Sequence, residues 1–358
     1  ACALFAINKM SSKGKVQTVT GWVEPSELGI TMTHEHLSMT FEVAHVPAME
    51  RDKDLTDLPL TIENLWWIRQ YPYSHPRNLF LNEEKQAVLE EMHLYKKNGG
   101  GCMVDNTTIG IDRDVPFLKK VADETGLKVI CGAGYYVGAA HAKTTDSATE
   151  DEIYEKIVHD ITVGTDGTEI KCGIIGEIGC SWPLQDREKK VLRAAARAQI
   201  QTGCPVIIHP GRNDDAPEEI AQILKDAGGD LSNTVMSHLD RTIHTDAKLL
   251  EFAKTGCYLE YDLFGIEVGL YQPNPDVYCC NDGERIRRIQ LLIKEGYLDK
   301  ILVAHDIHTK HRLMKYGGHG YSHILYNVVP MMKHAGVTQE QLDQILIHNP
   351  KAWLAFKK

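Results

Sequence analysis

The sequence predicts an α/β fold: a single (β/α)8 TIM barrel with a short N-terminal hairpin and a long insertion after the first strand. Three observations carry this prediction. Eight short apolar runs of strand length punctuate the 358 residues, and seven of them follow a stretch with helical apolar spacing. Buried strands alternating with helices make a parallel sheet with helices outside, and eight such units suit closure into a barrel. No Gly-x-Gly-x-x-Gly follows any of the runs, which weakens a dinucleotide-binding open sheet. Polar residues close several runs, and a barrel gathers its strand tips at one mouth.

Taken in order, residues 15–27 alternate and then turn, which reads as the hairpin. The first core strand, about 28–35, leads into Thr-His-Glu-His-Leu at 33–37. Residues 38–80 carry Pro, Asp, Asn and aromatic residues without a clean period. They read as the insertion, with a short helix near Ile62–Gln70, and a long loop on a compact domain usually covers a site. A helix over 82–97 then passes through Gly99-Gly100-Gly101 to a strand from Cys102, and a helix over 113–125 ends at Gly126 before the strand Lys128–Gly134. Helices over 150–163, 186–202, 216–227, 245–255 and 282–295 precede strands ending near Gly179, His209, His238, Asp262 and Asp306. The last loop, an eighth helix and a terminal helix around 338–347 complete the chain. Residues 1–9 read as an upstream extension before a start at Met10, and residues 10–358 as one barrel domain.

Hydrophobic residues are 43% and charged residues 25%, which excludes disordered and fibrous classes. A net charge of −10 argues against a nucleic-acid partner, because phosphate binding needs a concentrated basic face. No apolar run approaches the ~18 residues of a membrane helix, so no membrane partner is expected. The nine cysteines are scattered without a Cys-x-x-Cys, which suits buried thiols in a reducing compartment and makes the cytosol the expected location. A homodimer stays open.

The chemistry is carried by the strand ends. His34 and His36 lie two apart in a strand and so project to one face. Glu177, His209, His238 and Asp306 close later strands. Each has a bland reading: a hydrogen-bonded rim histidine, a Glu177–Lys171 pair, or an Asp306 that caps a turn. Together, however, four imidazoles and two carboxylates at one mouth would carry a desolvation and repulsion cost that a metal removes. Six ligands exceed the three or four protein ligands, roughly, of one catalytic zinc, so two divalent ions, zinc by ligand type, fit better. Glu177 is placed to bridge, with His34, His36 and Asp306 on one ion and His209 and His238 on the other. Such a pair would lower the pKa of a shared water towards neutrality, with Asp306 as general base and later proton donor. For substrate, the candidates are the basic stretch with His308, Lys310 and Arg312, together with Arg241 and Tyr261; an anionic group could dock there.

Thr-His-Glu-His-Leu, Ile-Gly-Glu-Ile-Gly, Ile-Ile-His-Pro-Gly-Arg, Ser-His-Leu-Asp-Arg and Ala-His-Asp-Ile-His, in that order, resemble the amidohydrolase superfamily in its phosphotriesterase branch, over nearly the whole chain from about residue 15. The similarity is greatest to the vertebrate phosphotriesterase-related group. The founding bacterial members bridge their metals with a carboxylated lysine on strand four, whereas this chain carries Glu177, so organophosphate hydrolysis is not carried over. The resemblance implies a metal-dependent hydrolase barrel acting on a small anionic N-acyl substrate. N-acetyltaurine, cleaved to taurine and acetate, stands first, with weaker action on N-acetyl amino acids. A lactonase or phosphotriesterase is the alternative within the fold. A catalytically inactive small-ligand-binding protein is the alternative from another class, and the six retained ligands speak against it.

Overall fold

The computed structural model describes residues 12–358, so the upstream extension at 1–9 lies outside the described residues. Strands β1 (Val16–Thr18) and β2 (Gly21–Val23) form the antiparallel hairpin. Eight further strands follow: β3 (Ile30–Glu35), β4 (Gly100–Asp105), β5 (Lys128–Ala133), β6 (Ile174–Gly179), β7 (Val206–His209), β8 (Thr234–Met236), β9 (Tyr258–Tyr261) and β10 (Ile301–Val303). They lie side by side in chain order, all parallel, as a nearly closed barrel. The seam between β10 and β3 is joined by a few directed hydrogen bonds in place of a ladder. The Asp306 N–H donates to the His34 carbonyl at 3.1 Å, and the Thr33 hydroxyl donates to the Val303 carbonyl at 3.4 Å. The Glu35 carboxylate accepts from the backbone N–H groups of His305 at 2.8 Å and Ile307 at 3.3 Å.

Strand periodicity sorts the core into two layers. Val104, Ile130, Ile174, Ile207, Val235 and Leu302 fill the barrel interior, floored by Val16 and Trp353. The alternate residues, such as Val129, Cys131, Val206 and Ile208, face the helices. Helix boundaries follow the sequence signals. Val115–Thr125 starts on Asp114, whose carboxylate accepts the Phe117 N–H, and stops at Gly126 with φ +70°, a left-handed turn that favours glycine. Glu150–Thr162 begins with a Thr149–Glu152 capping box.

The structure adds what periodicity did not show. Short helices at Gly138–Thr145 and Leu239–Thr242 follow β5 and β8 at the mouth, too brief to display an apolar stripe. The terminal helix runs past the expected 347: Gln339–Asp343 continues through a wide turn into Asn349–Leu354, because Pro350 sits in a first turn where its missing N–H costs little. The Asn349 amide then donates to the Leu298 and Ile301 carbonyls and ties this helix to the barrel floor. The 38–80 insertion is a set of single turns around the helix Leu65–Gln70, and it brings Phe41 and Tyr73 over the mouth. No helix among the described residues is long and apolar enough to cross a membrane.

Candidate metal centre

β3 delivers His34 and, one residue beyond its end, His36; β6 delivers Glu177, β7 His209, and the turns after β8 and β10 deliver His238 and Asp306. The structure brings all six together in buried surroundings. Glu177 lies in the middle. Its Oε1 is 3.3 Å from His36 Nε2, while its Oε2 is 3.3 Å from His34 Nε2, 3.1 Å from His209 Nδ1 and 3.5 Å from His238 Nε2. Asp306 Oδ1 stands 3.3 Å from His36 Nε2 and 3.9 Å from His34 Nε2. Among the described residues, the donor atoms of His34, His36 and Asp306 lie within 4.8 Å of one another; those of Glu177, His209 and His238 do likewise, as do those of His34, His238 and Asp262.

The remaining ring nitrogens are anchored, which fixes each imidazole's direction. His36 Nδ1 meets Thr107 Oγ1 at 2.9 Å, and His34 Nδ1 meets Ser237 Oγ at 3.1 Å and Glu260 Oε2 at 3.2 Å. His238 Nδ1 donates to Asp262 at 2.8 Å. His238 and Asp306 adopt left-handed backbone, with φ +55° and +51°, a region that costs a non-glycine residue about 1–3 kcal/mol. Both are held there from outside: Asp262 accepts the His238 N–H at 3.1 Å, and His34 accepts the Asp306 N–H.

The donor set fits divalent cations. His34 Nε2 is buried and makes no hydrogen bond among the described residues. Burial alone would suppress charge on His34, but the Glu177 and Asp262 carboxylates hold it well above the usual histidine value. His36 is likewise raised to about 9 against burial, by Asp306 and Glu177. Glu177 stays well below the usual carboxylate range despite burial, because His34, His209 and His238 surround it. Burial, with Arg241 and Arg212 nearby, keeps His209 down at about 4 against the pull of Glu177. The carboxylates thus favour positive charge at His34 and His36, and bound cations would supply that charge in place of protons.

Above this floor is a narrow cavity walled by Phe41, Tyr73, Tyr136 and Tyr271. Of the residues expected to meet substrate, Arg241, His308 and Arg312 line it. Lys310 does not: its ammonium is drawn to Glu83 and Glu84 on the flank of the barrel. Tyr261 does not either. β9 alternates, so Tyr258 enters the barrel interior and Glu260 reaches His34 at its mouth, while Tyr261 packs outward among the helices. Asp262, next in the inward register, escaped the sequence reading although it closes its strand as Asp306 does. Arg212 also escaped it, three residues beyond His209 in Ile-Ile-His-Pro-Gly-Arg; its Nε donates to Tyr271 Oη at 2.9 Å on the cavity wall.

The sequence model of the Phosphotriesterase family matches residues 14–354. This chain belongs to the phosphotriesterase family. Within that family it is 58% identical to the N-acetyltaurine hydrolase of Xenopus tropicalis over 347 residues, 97% of this chain and 99% of that protein. The N-acetyltaurine hydrolase of Homo sapiens is 57% identical over the same coverage. Among solved structures, a resiniferatoxin-binding protein from Rhodobacter sphaeroides superposes with a TM-score of 0.91 at 32% identity, covering 97% of this chain and 98% of that one. The phosphotriesterase homology protein from Escherichia coli, complexed with phosphate in its active site, gives a TM-score of 0.76 at 26% identity over 92% and 99%.

Proposed function

We propose that this phosphotriesterase-family chain is a binuclear metal-dependent amidohydrolase that cleaves small N-acylated anions, N-acetyltaurine first among them, to an amine and a carboxylate. N-acetyl amino acids are weaker substrates in this reading. The observation that carries it is one cavity floored by His36, Glu177, His209, His238 and Asp306, with His34 behind them, and walled by three arginines that have no carboxylate partner among the described residues. The relatives named N-acetyltaurine hydrolase, matched over nearly full length, support the substrate.

His34, His36 and Asp306 would hold one ion, His209 and His238 the other, with Glu177 between; N and O donors of this kind suit zinc. Two bound divalent ions supply Lewis-acid polarisation of the acyl carbonyl and a water that ionises near neutral pH. The chain's own part is positioning and proton transfer. Asp306 presents Oδ1 to His36, and its Oδ2 lies 3.1 Å from His308 Nδ1. That carboxylate takes the proton of the attacking water and delivers it to the departing nitrogen. Phe41 and Tyr73, from the insertion, narrow the mouth and exclude bulk water. The eight cysteines among the described residues are free thiols, which supports a reducing compartment such as the cytosol.

A substrate panel tests the reading. Chelator-sensitive acetate release from N-acetyltaurine, with little turnover of a neutral lactone or a phosphotriester, is the expected result. Chelator-sensitive lactone or phosphotriester turnover without acetate release would replace the amidase by an ester hydrolase on the same centre.

A further inference from the structure

We propose that the same cavity also accepts N-acyl aminoalkylphosphonates, whose tail carries two negative charges where a sulfonate carries one. The proposal rests on the amidohydrolase reading above and adds a substrate class to it. Its basis is how the arginines of the protein are paired. Other shielded arginines in the protein meet carboxylates: Arg285 meets Asp240 and Asp282, Arg113 meets Asp160 and Asp166, and Arg288 meets Glu284. Among the described residues the three cavity arginines meet none.

Arg241, 2% exposed, is held by Thr242 Oγ1 at 3.2 Å and the Pro210 carbonyl at 3.3 Å. Arg312, 4% exposed, donates to the Asp306 carbonyl at 3.0 Å. Arg212 uses only its Nε, on Tyr271 Oη, and its guanidinium lies 5.5 Å from that ring's centre. Among the described residues its terminal nitrogens make no hydrogen bond, which leaves both available on a residue that lines the cavity. The Asn274 amide donates to the Arg212 carbonyl at 3.0 Å and steadies its backbone.

Arg241 and Arg312 are buried and Arg212 is half-buried, and a buried cation without counter-charge is costly unless a ligand supplies it. One sulfonate brings a single charge to a wall that carries three guanidiniums. A phosphonate dianion offers the same tetrahedral oxygens with a second charge, and a guanidinium fork binds such oxygens in pairs. The reaction is unchanged: the C–N bond breaks, the water oxygen joins the acyl carbon to give acetate, and the water's proton passes to nitrogen, leaving the free aminoalkylphosphonate. Arg212 is the residue with both terminal donors unused, so it should matter most to the second charge.

The test compares N-acetyl-2-aminoethylphosphonate with N-acetyltaurine on the metal-loaded protein at pH 8, where the phosphonate is a dianion, and measures phosphonate binding by calorimetry. Acetate release from both is expected. Arg212→Met should lower kcat/KM for the phosphonate at least about tenfold more than for the sulfonate, mainly through KM. Arg212→Lys, which keeps the charge and guards against a folding defect, should restore part of the difference. Cleavage of N-acetyltaurine with neither cleavage nor binding of the phosphonate would overturn the proposal and leave the amidohydrolase reading standing. Phosphonate binding without turnover, unchanged in Arg212→Met, would place it on the metals and overturn the proposal too. No acetate from either substrate would remove both readings.

Discussion

Four imidazoles converge on the Glu177 carboxylate at 3.1–3.5 Å, an arrangement that would strand a buried charge if the side chain were neutral. Glu177→Gln keeps the shape and removes that charge. Metal retention is expected to fall, and turnover with it by more than about a hundredfold, while the circular dichroism spectrum stays native. Full activity in this variant would rule out Glu177 as the shared ligand. One shell further out, Asp262 aims His238 through both its ring and its backbone N–H. Asp262→Asn is expected to weaken metal affinity about ten- to a hundredfold, read by competition with a chromogenic chelator. The contrast between Asp262 and Tyr261 shows what residue type alone leaves out. Neighbours in a strand face opposite sides, and which of them faces inward depends on the register with β8 and β10. That register is a tertiary fact, so the sequence reading chose the tyrosine and passed over both carboxylates beside it.

The elements around the mouth are tied together by side chains that reach across from unrelated parts of the chain. Glu91, on the helix Lys85–Lys97, accepts the Met314 N–H at 2.6 Å and the Tyr321 N–H at 3.2 Å, and so pins the loop after β10 that carries His308 and Arg312. Burial raises Glu91 to about 7 against those two donors. Its folded-state value lies above its unfolded value of 4.5, so the native state retains a proton that the unfolded chain has lost. The contribution is therefore fully present below about pH 4.5 and fades as pH rises through about 7. The stability advantage of the natural protein over Glu91→Gln, from denaturant unfolding, is expected to shrink from pH 5 to pH 8 by up to about 3 kcal/mol. A constant difference across that range would show that Glu91 ionises freely. Elements of this kind were visible in the sequence where a period or a cap marked them, as in the capped helices Val115–Thr125 and Glu150–Thr162. The mouth helices Gly138–Thr145 and Leu239–Thr242 were not, since a segment of one or two turns carries no measurable period.

At the scale of the whole molecule, the barrel and the positions of the six donors could be read from the sequence because the fold repeats one simple unit. Each strand ends at the same mouth, so the residue closing each apolar run announces its own location. The cavity walls could not be read in this way. Arg212, Tyr136 and Tyr271 come from turns and loops whose paths are set by packing, and Lys310 is drawn from the wall by Glu83 and Glu84, which lie far from it in sequence. The cavity therefore divides into a floor of candidate metal ligands set by strand order and a wall set by loop packing. The claim most in need of a direct test is that the floor works as a pair. Metal-stripped protein should be titrated with zinc while bound metal and acetate release from N-acetyltaurine are followed on the same sample. Turnover is expected to appear as the second equivalent binds, with a parallel rise in melting temperature as the cations replace protons on the buried histidines. Full turnover at one equivalent, or undiminished turnover in the stripped protein, would contradict a two-ion centre built on Glu177.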